Sequence, residues 1–466
     1  MLPYNIHPKE NKIAVITDIG RIFSYKEIND FSDSIYNAIQ HRCLVFCICQ
    51  NTIGSLCGYI SFIANKIVPL MLDSTIDREL LEGLVNTYRP EYLWLPDDRI
   101  NEFSKGQIIF SQHNYSLVQL EASNYYPMHD DLALLLTTSG STGSPKLVRL
   151  TYDNIEANAT SISEYLSIDE NERPITTLPM SYSFGLSIIN SHFLKGATLL
   201  LTSKSLMEKE FWNFLKTQKA TSMSGVPYTY EILKKLRFFR MELPSLNTLT
   251  QAGGKLNNEL NKEFSEFCLQ ANKRFFVMYG QTEATARMSY LPHQYSLSKL
   301  GSMGIAIPGG EFSLIDEKGS AIEGPEIIGE LVYKGKNVSM GYAECGDDLK
   351  KEDENKGILY TGDIAKRDSD NFYYIVGRKK RFIKIYGNRV NLDETERLLK
   401  NFISDCACIG HDDHMVIYIT DKNRLAETRN YISGKTGINQ MAFSVRHIDA
   451  IPKNSSGKTI YAKLNI

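Results

Sequence analysis

Tryptophan is scarce, with two in the chain, and neither sign of charge prevails: 52 Lys and Arg face 54 Asp and Glu, a formal net charge of -2. A nucleic-acid binder would carry a marked basic excess, so no nucleic-acid partner is expected. Long apolar runs are also missing. The most apolar stretch, Cys43 to Leu72, is broken by Gln50, Asn51, Asn65 and Lys66, and it reads as a buried strand plus helix, with no membrane span. The opening Met1 to Lys12 is polar and interrupted by Pro3 and Pro8. It lacks the basic and apolar regions of a secretory signal, so a cytoplasmic location is expected. Cysteine is present, at eight positions, but without C-x2-C pairing. Cys43, Cys47, Cys49 and Cys57 fall in an apolar strand pattern, and a neighbouring His of the kind zinc sites use is not recognised there. Reduced thiols packed in a core are expected, for these and for Cys406 and Cys408.

With 466 residues the chain exceeds one ordinary core, and its 42% apolar and 23% charged content is that of a soluble globular protein. Short apolar runs alternate with amphipathic stretches through the first two thirds. Ile13–Ile16, Cys43–Phe46, Tyr92–Leu95, Ile175–Leu178, Ala197–Leu201 and Phe275–Met278 read as strands, and Tyr25–Ile39 and Tyr228–Leu236 as helices. This patterning predicts an α/β fold with parallel-rich sheets. After about residue 300 glycine-rich short strands such as Gly329–Tyr333 imply a small β-rich subdomain. The basic Gly377-Arg-Lys-Lys-Arg381 has few apolar residues and reads as a linker. A large N-terminal domain, 1–376, and a small C-terminal one, 377–466, are therefore expected.

An apolar run, Leu132 to Leu136, leads into Thr137-Thr138-Ser139-Gly140-Ser141-Thr142-Gly143-Ser144-Pro145-Lys146. Glycines let the backbone turn its N–H groups inward, and the hydroxyls and the Lys146 ammonium add donors for a polyphosphate. The spacing is not that of P-loop NTPases, because Gly140, Gly143 and Lys146 stand three apart and Pro145 blocks a helix start of that kind. A flexible Ser/Gly linker is the competing account; the buried-type strand before it and the closing Lys argue against it.

Met278-Tyr-Gly-Gln-Thr-Glu-Ala-Thr285 ends another apolar strand in a Tyr-Gly turn. Glu283 suits a phosphate-bridging Mg²⁺, since hard cations take carboxylate oxygens, and Tyr279 offers a flat face to a base or substrate. Alone, the stretch also reads as strand, turn and helix, with Thr282 as cap and Glu283 in the first turn. Tyr360-Thr-Gly-Asp363 ends a short strand with a carboxylate suited to two ribose hydroxyls, or with a surface charge in a turn. Pro452-Lys-Asn-Ser-Ser-Gly-Lys-Thr459 is either a loop that carries Lys458 into a cleft or a frayed terminus.

Together these motifs resemble the adenylate-forming superfamily of acyl- and aryl-CoA ligases, peptide-synthetase adenylation domains and luciferases. T-S-G-S-T-G-x-P-K is similar to its nucleotide loop and P-K-x-x-S-G-K to its catalytic lysine loop. Ordered matches at 138–146, 178–186, 251–256, 279–285, 329–342, 360–363, 377–394 and 452–458 span nearly the whole chain. The resemblance implies ATP and Mg²⁺. It implies nucleotide contacts from Thr138, Ser139, Gly140, Ser141, Thr142, Gly143 and Lys146, and from Gly253, Gly254 and Lys255 on the adenine side. Tyr279, Gly280 and Gln281 would join them, with Asp363 and Arg378 on the ribose. Glu283 and Thr142 would hold the metal, and Lys458, Glu283 and Thr282 would act in catalysis. Lys458 would lie between substrate carboxylate and α-phosphate, offsetting charge in the transition state. The small C-terminal domain, mobile and α+β, would then swing about a hinge near Lys380, where the family often has Asp. Gly387 would let a pantetheine arm pass close to the backbone.

The implied product is an acyl-adenylate and then a thioester with coenzyme A. Amino-acid-activating members carry an Asp after the 178–180 strand, whereas Leu178-Pro-Met-Ser-Tyr-Ser-Phe-Gly-Leu186 has no acid. Burying an ammonium without a counter-charge is costly, so a non-amino carboxylic acid is expected. Tyr182, where CoA ligases of this format have His, and Phe184 form an aromatic gate or plain core packing; Val226 and Gly304 are expected in the pocket walls. A stand-alone enzyme loading an amino or other acid onto a carrier-protein pantetheine is the alternative. A silent homologue that only binds nucleotide or a partner is a rival of another class, against which Lys458, Glu283, Asp363 and Arg378 all stand.

Overall fold

The computed structural model describes residues 11–103, 106–121, 126–137, 146–386, 388–454 and 457–465. The chain folds as two compact units, Met1–Glu311 with Lys334–Leu359, and Phe312–Tyr333 with Tyr360–Ile466.

The first unit holds two large sheets. One runs in the order Ile305–Ala306, Ser289–Leu291, Arg274–Tyr279, Thr248–Gln251, Ser222–Gly225, Pro174–Ile175, Leu199–Leu201, Ile13–Thr17, Ile22–Ser24. Its middle strands are parallel and its ends close with antiparallel pairs. The other runs Tyr342–Ala343, Leu147–Thr151, Leu132–Thr137, Val68–Asp73, Leu44–Cys49, Tyr92–Pro96, Tyr115–Gln119, Gln107–Gln112. Again the centre is parallel and the flanks antiparallel. Every residue of Leu44–Cys49 is buried, as an unbroken apolar run requires when both faces of a parallel sheet are covered. The α/β class with parallel-rich sheets is thus the observed one.

Helix Tyr25–Ala38 starts where Ser24 and Glu27 exchange side-chain and backbone hydrogen bonds as a capping box. Helix Ile53–Ala64 has no polar face, and its residues from Ile53 to Ile63 are all buried. One apolar cluster joins these two helices to strands of both sheets. Small residues on the second helix set the spacing. Trp94 Nε1 donates to Gly54 O at 3.0 Å, and a Cβ on Gly58 would lie 2.1 Å from that nitrogen.

Strand Pro174–Ile175 stops short of the expected Leu178. The Thr176 and Thr177 hydroxyls bond to the carbonyls of Thr202 and Ser224, drawing the chain out of the ladder. Among the described residues no helix is long and apolar enough to cross a membrane.

The second unit contains a sheet of Gly310–Ile315, Gly329–Gly335, Ile358–Arg367 and Tyr373–Arg378, whose first strands begin or end in the first unit's residues. A hairpin, Phe382–Ile385 with Asn388–Asn391, and a three-stranded sheet, Cys406–His411, His414–Ile419 and Phe443–His447, complete it with helices Leu392–Lys400 and Leu425–Thr436. Arg381, expected in a linker, is instead an anchor of this unit. Its Nε bonds to Asp393 at 2.8 Å, its Nη2 to Glu396 at 2.6 Å and its Nη1 to Cys408 O at 2.6 Å, while the guanidinium lies 3.9 Å from the Tyr461 ring centroid. A basic residue at a turn gave no sign of these partners.

Gly58→Ala should destabilise the protein by about 1–3 kcal/mol, because the indole is rigid and enclosed. Gly83→Ala, at an exposed helical position with nothing near its Cβ, should be neutral or stabilising by about 0.5–1 kcal/mol. Urea midpoints followed by tryptophan fluorescence check the pair.

Candidate active site

In the first unit two motifs sit at the carboxyl ends of neighbouring parallel strands, where open α/β sheets place ligands. Strand Arg274–Tyr279 ends in Gly280, and a Cβ there would lie 1.7 Å from Ala286 O. Only glycine lets the chain fold back so tightly. The expected helix is replaced by a short turn, Thr282–Ala284, ended by Thr285 in the left-handed region at φ +66°. Asn337 enforces the stop: its Nδ2 donates to Ala284 O at 2.9 Å and Arg287 O at 3.1 Å, while Thr285 Oγ1 donates to Asn337 O at 2.6 Å. Asn158 Nδ2 adds a 2.9 Å bond to Arg287 O. Glu283 is fixed at both ends, with its carbonyl accepting from Ser339 N at 2.9 Å and its Oε1 from the Tyr342 hydroxyl at 2.7 Å. Gln281 Nε2 donates to the Tyr279 hydroxyl at 3.1 Å.

The next strand, Thr248–Gln251, ends in Gly253 at φ +84°, and the buried Gln251 carboxamide donates to Gly254 O at 2.8 Å. Lys255 is exposed beside them. A Cβ on Gly253 would lie 2.7 Å from the Tyr182 hydroxyl and 3.0 Å from Val226 Cγ1, so the loop and these pocket residues adjoin. Tyr182 caps helix Ser183–Leu194, burial pushes its phenol up to about 12, and its ring meets that of buried Phe184 edge-on at 6.3 Å. Ser183 Oγ lies 3.3 Å from Thr282 Oγ1, tying this helix to the Glu283 turn. Gly304, at φ +88°, allows Tyr290 O to approach within 1.9 Å of its Cβ position. Lys146 is exposed and pairs with Glu344 at 2.6 Å. Thr138, Ser139, Gly140, Ser141, Thr142 and Gly143 lie outside the described residues.

In the second unit Asp363 and Arg378 face each other across an antiparallel pair. Arg378 Nε lies 3.2 Å from Asp363 Oδ1, with the carboxylate buried and the guanidinium exposed. Lys380 falls in the turn Lys379–Arg381, with its side chain outside the described set, as is Gly387. Lys458 sits on a closed turn and not on a frayed end. Its N–H donates to Asn454 Oδ1 at 2.9 Å, its carbonyl accepts from Asn454 N at 2.9 Å, and Lys453 bridges Thr459.

Several neighbours of these residues escaped the sequence reading. Tyr342, Asn337 and Asn158 are brought in from distant segments. Asn51 spans the start of the Leu178–Leu186 stretch, donating to Leu178 O at 3.0 Å and accepting from Met180 N at 3.1 Å. The thiols also need one correction, since a histidine does stand beside them. A ring nitrogen of His41, Cys43 Sγ and a Glu91 carboxylate oxygen lie within 4.8 Å of one another, with His41 Nε2 and Glu91 hydrogen-bonded at 2.9 Å. Burial and Glu91 push the Cys43 thiol up. Cys47, Cys49 and Cys57 are packed in the apolar cluster.

A partly buried carboxylate steadied by a tyrosine hydroxyl is an oxygen ligand of the kind Mg²⁺ takes, so Glu283 fits that ion. Comparison with known proteins agrees with a nucleotide site. The chain is 29% identical over 350 residues to the peroxisomal OPC-8:0-CoA ligase 1 of Arabidopsis thaliana, covering 71% of this chain and 63% of that protein. It is 26% identical over 385 residues to the 2-succinylbenzoate–CoA ligase of a Geobacillus species, covering 79% and 76%. The chain thus spans less than two thirds of the plant relative's length. In fold it matches the Bacillus subtilis O-succinylbenzoate coenzyme A synthetase solved with ATP and magnesium, at a TM-score of 0.79 and 21% identity over 99% of this chain and 98% of that one. The model of the AMP-binding enzyme family matches residues 4–343, and the chain belongs to that family.

Proposed function

We propose that the chain is an ATP-dependent, AMP-forming ligase that joins a non-amino carboxylic acid to coenzyme A by way of an acyl-adenylate. The observation that carries this reading is the braced turn Tyr279–Arg287, in which the residues on either side of Glu283 meet the 178–186 stretch, Thr282 at Ser183 and Arg287 at Phe184. A carboxylate oxygen of the acid attacks the α-phosphorus in line, the bond to the β-phosphate oxygen breaks, and pyrophosphate leaves. Positioning and neutralisation of charge supply most of such a rate enhancement. Mg²⁺ held by Glu283, with Thr142 as the second ligand, supplies charge neutralisation on the phosphates. Gly253, Gly254 and Tyr279 receive the base, Asp363 and Arg378 the ribose, and Lys458 the charge developing between carboxylate and phosphate. The thiol sulfur of coenzyme A then attacks the acyl carbon, its proton is lost, and AMP departs.

For the second step we infer that residues 377–466 turn about Lys380, withdraw Lys458 and bring Gly387 beside the pantetheine arm. The relatives named as CoA ligases of carboxylic acids support coenzyme A over a carrier protein as acceptor. We place the enzyme in the cytoplasm, where eight unpaired thiols remain reduced.

Pyrophosphate exchange over a panel of acids and amino acids, followed by product mass spectrometry with coenzyme A and with a phosphopantetheinylated carrier, tests the reading. Exchange with amino acids alone, or thioester on the carrier alone, would overturn it. Glu283→Gln should slow exchange by ~10²-fold and raise the Mg²⁺ concentration it needs; an unchanged Mg²⁺ titration would remove Glu283 from the metal. Lys458→Ala should lower acyl-adenylate formation by ~10²–10³-fold while thioester formation from supplied acyl-adenylate stays largely intact. Equal loss of both half-reactions would refute the two-face scheme.

A further inference from the structure

Arg287 is 2% exposed, and among the described residues it forms no ion pair. Guanidinium stays charged in any protein and carries five N–H donors. Its Nη1 donates to the Tyr165 hydroxyl at 3.2 Å and to the weak acceptor Met278 Sδ at 3.3 Å. The Nε is buried with no partner, and Nη2 donates to no described residue. What remains unused is therefore the Nε/Nη2 edge, the side-on fork that takes a carboxylate through two parallel bonds. The same edge does so elsewhere in this chain: Arg99 gives Nε to Glu102 Oε1 at 2.8 Å and Nη2 to Oε2 at 2.6 Å.

Among the described residues, the partners of Arg287 offer no negative charge in return. Its guanidinium lies over the Phe184 ring at 4.9 Å. Tyr165 stacks on Tyr290 at 4.2 Å, whose carbonyl closes on Gly304. Burial, with Arg287 adding to it, pushes the buried His192 imidazole down to about 4, so that side chain stays neutral. These contacts run from Gly304 through Tyr290 and Tyr165 to Arg287, then through Phe184 to Tyr182, which meets Val226 at Gly253. Arg287 thus stands in the middle of the residues assigned to the acid pocket. A lone buried cation costs several kcal/mol unless an anion completes it.

We propose that the acid substrate is a dicarboxylate whose second carboxylate is received by the Nε/Nη2 edge of Arg287, while the first attacks ATP. This inference rests on the ligase reading and narrows it.

The experiment is pyrophosphate exchange on the full chain with matched acid pairs, each diacid beside the monoacid of the same skeleton, from short aliphatic to aromatic. Wild type should favour one or more diacids over their partners by about 10²-fold in kcat/KM. Arg287→Met should erase that preference, chiefly through KM, and leave the monoacid rate within a few fold; Arg287→Lys should restore part of it. A purely structural arginine would depress both members of a pair equally. Wild type that uses monoacids as well as diacids sinks this inference and leaves the ligase standing, and that comparison needs no folded variant. Absence of exchange with every acid overturns both.

Discussion

Arg149 is fully buried, and almost all of its donors are spent on main-chain carbonyls from one distant segment. Nε bonds to Tyr342 O at 3.1 Å, Nη2 to Met340 O at 3.0 Å and Glu352 O at 3.3 Å, Nη1 to Lys351 O, and Nη2 also to the Glu354 carboxylate at 2.7 Å. Next to it Asn154 Nδ2 reaches Lys336 O at 2.7 Å and Val338 O at 2.9 Å. These bonds fasten Lys334–Leu359 onto the strand and helix that follow the Gly/Ser/Thr loop. Met340, Ala343 and Leu349 of the same segment pack into the adjoining apolar cluster, and each lost donor leaves buried carbonyls unsatisfied at ~1–3 kcal/mol apiece. The candidate site depends on this clamp, because Ser339 and Tyr342, which hold Glu283, belong to the clamped segment.

The same device recurs around the turn itself. Asn337 and Asn158 address the carbonyls of Ala284 and Arg287 in the way a helix would satisfy its own. A turn held by side-chain amides keeps one shape, whereas a hydrophobic clamp of equal strength would tolerate sliding. A carboxylate that is to hold a metal, as proposed for Glu283, gains from that rigidity, since productive geometry allows only small displacements. Strain is concentrated there as well, in Thr285 at φ +66° and in a glycine at 280 that no side chain can replace, as expected where structure serves a site.

This explains which parts of the molecule were legible in sequence. Parallel strands announced themselves as unbroken apolar runs, and Gly-rich punctuation after Leu136, Gln251 and Met278 marked their carboxyl ends, where ligand loops belong. Local chemistry decides such features, so local reading finds them. The stop at Ile175 and the short turn in place of a helix after Gln281 were not legible, because their partners lie far off in sequence. Thr176 bonds to Thr202, and Asn337 caps Ala284. Arg381 read as a linker charge for the same reason, since Asp393, Glu396 and Cys408 O complete it only after folding. His41 escaped notice because an exposed histidine just ahead of a strand gives no hint of Glu91, which stands just ahead of the neighbouring one.

Two buried arginines and a third that is partly buried show how differently one side chain can be used. Arg149 and Arg381 are saturated: carbonyls and carboxylates answer nearly every donor, and their charges serve cohesion. Arg287 is answered by a phenol, a thioether and a ring face, none of which matches a guanidinium. Packing alone does not account for it, because a methionine or leucine of similar length would fill the same space without a desolvation penalty. Unsolved polar groups of this kind are found where a protein gives up stability for function. The position agrees, since Arg287 ends the very turn that carries Glu283 and touches the ring of Phe184. On the reading proposed above, one turn joins the two ends of a substrate, with the nucleotide side at Glu283 and the far side at Arg287, and the buried amides that hold its shape also hold the distance between them.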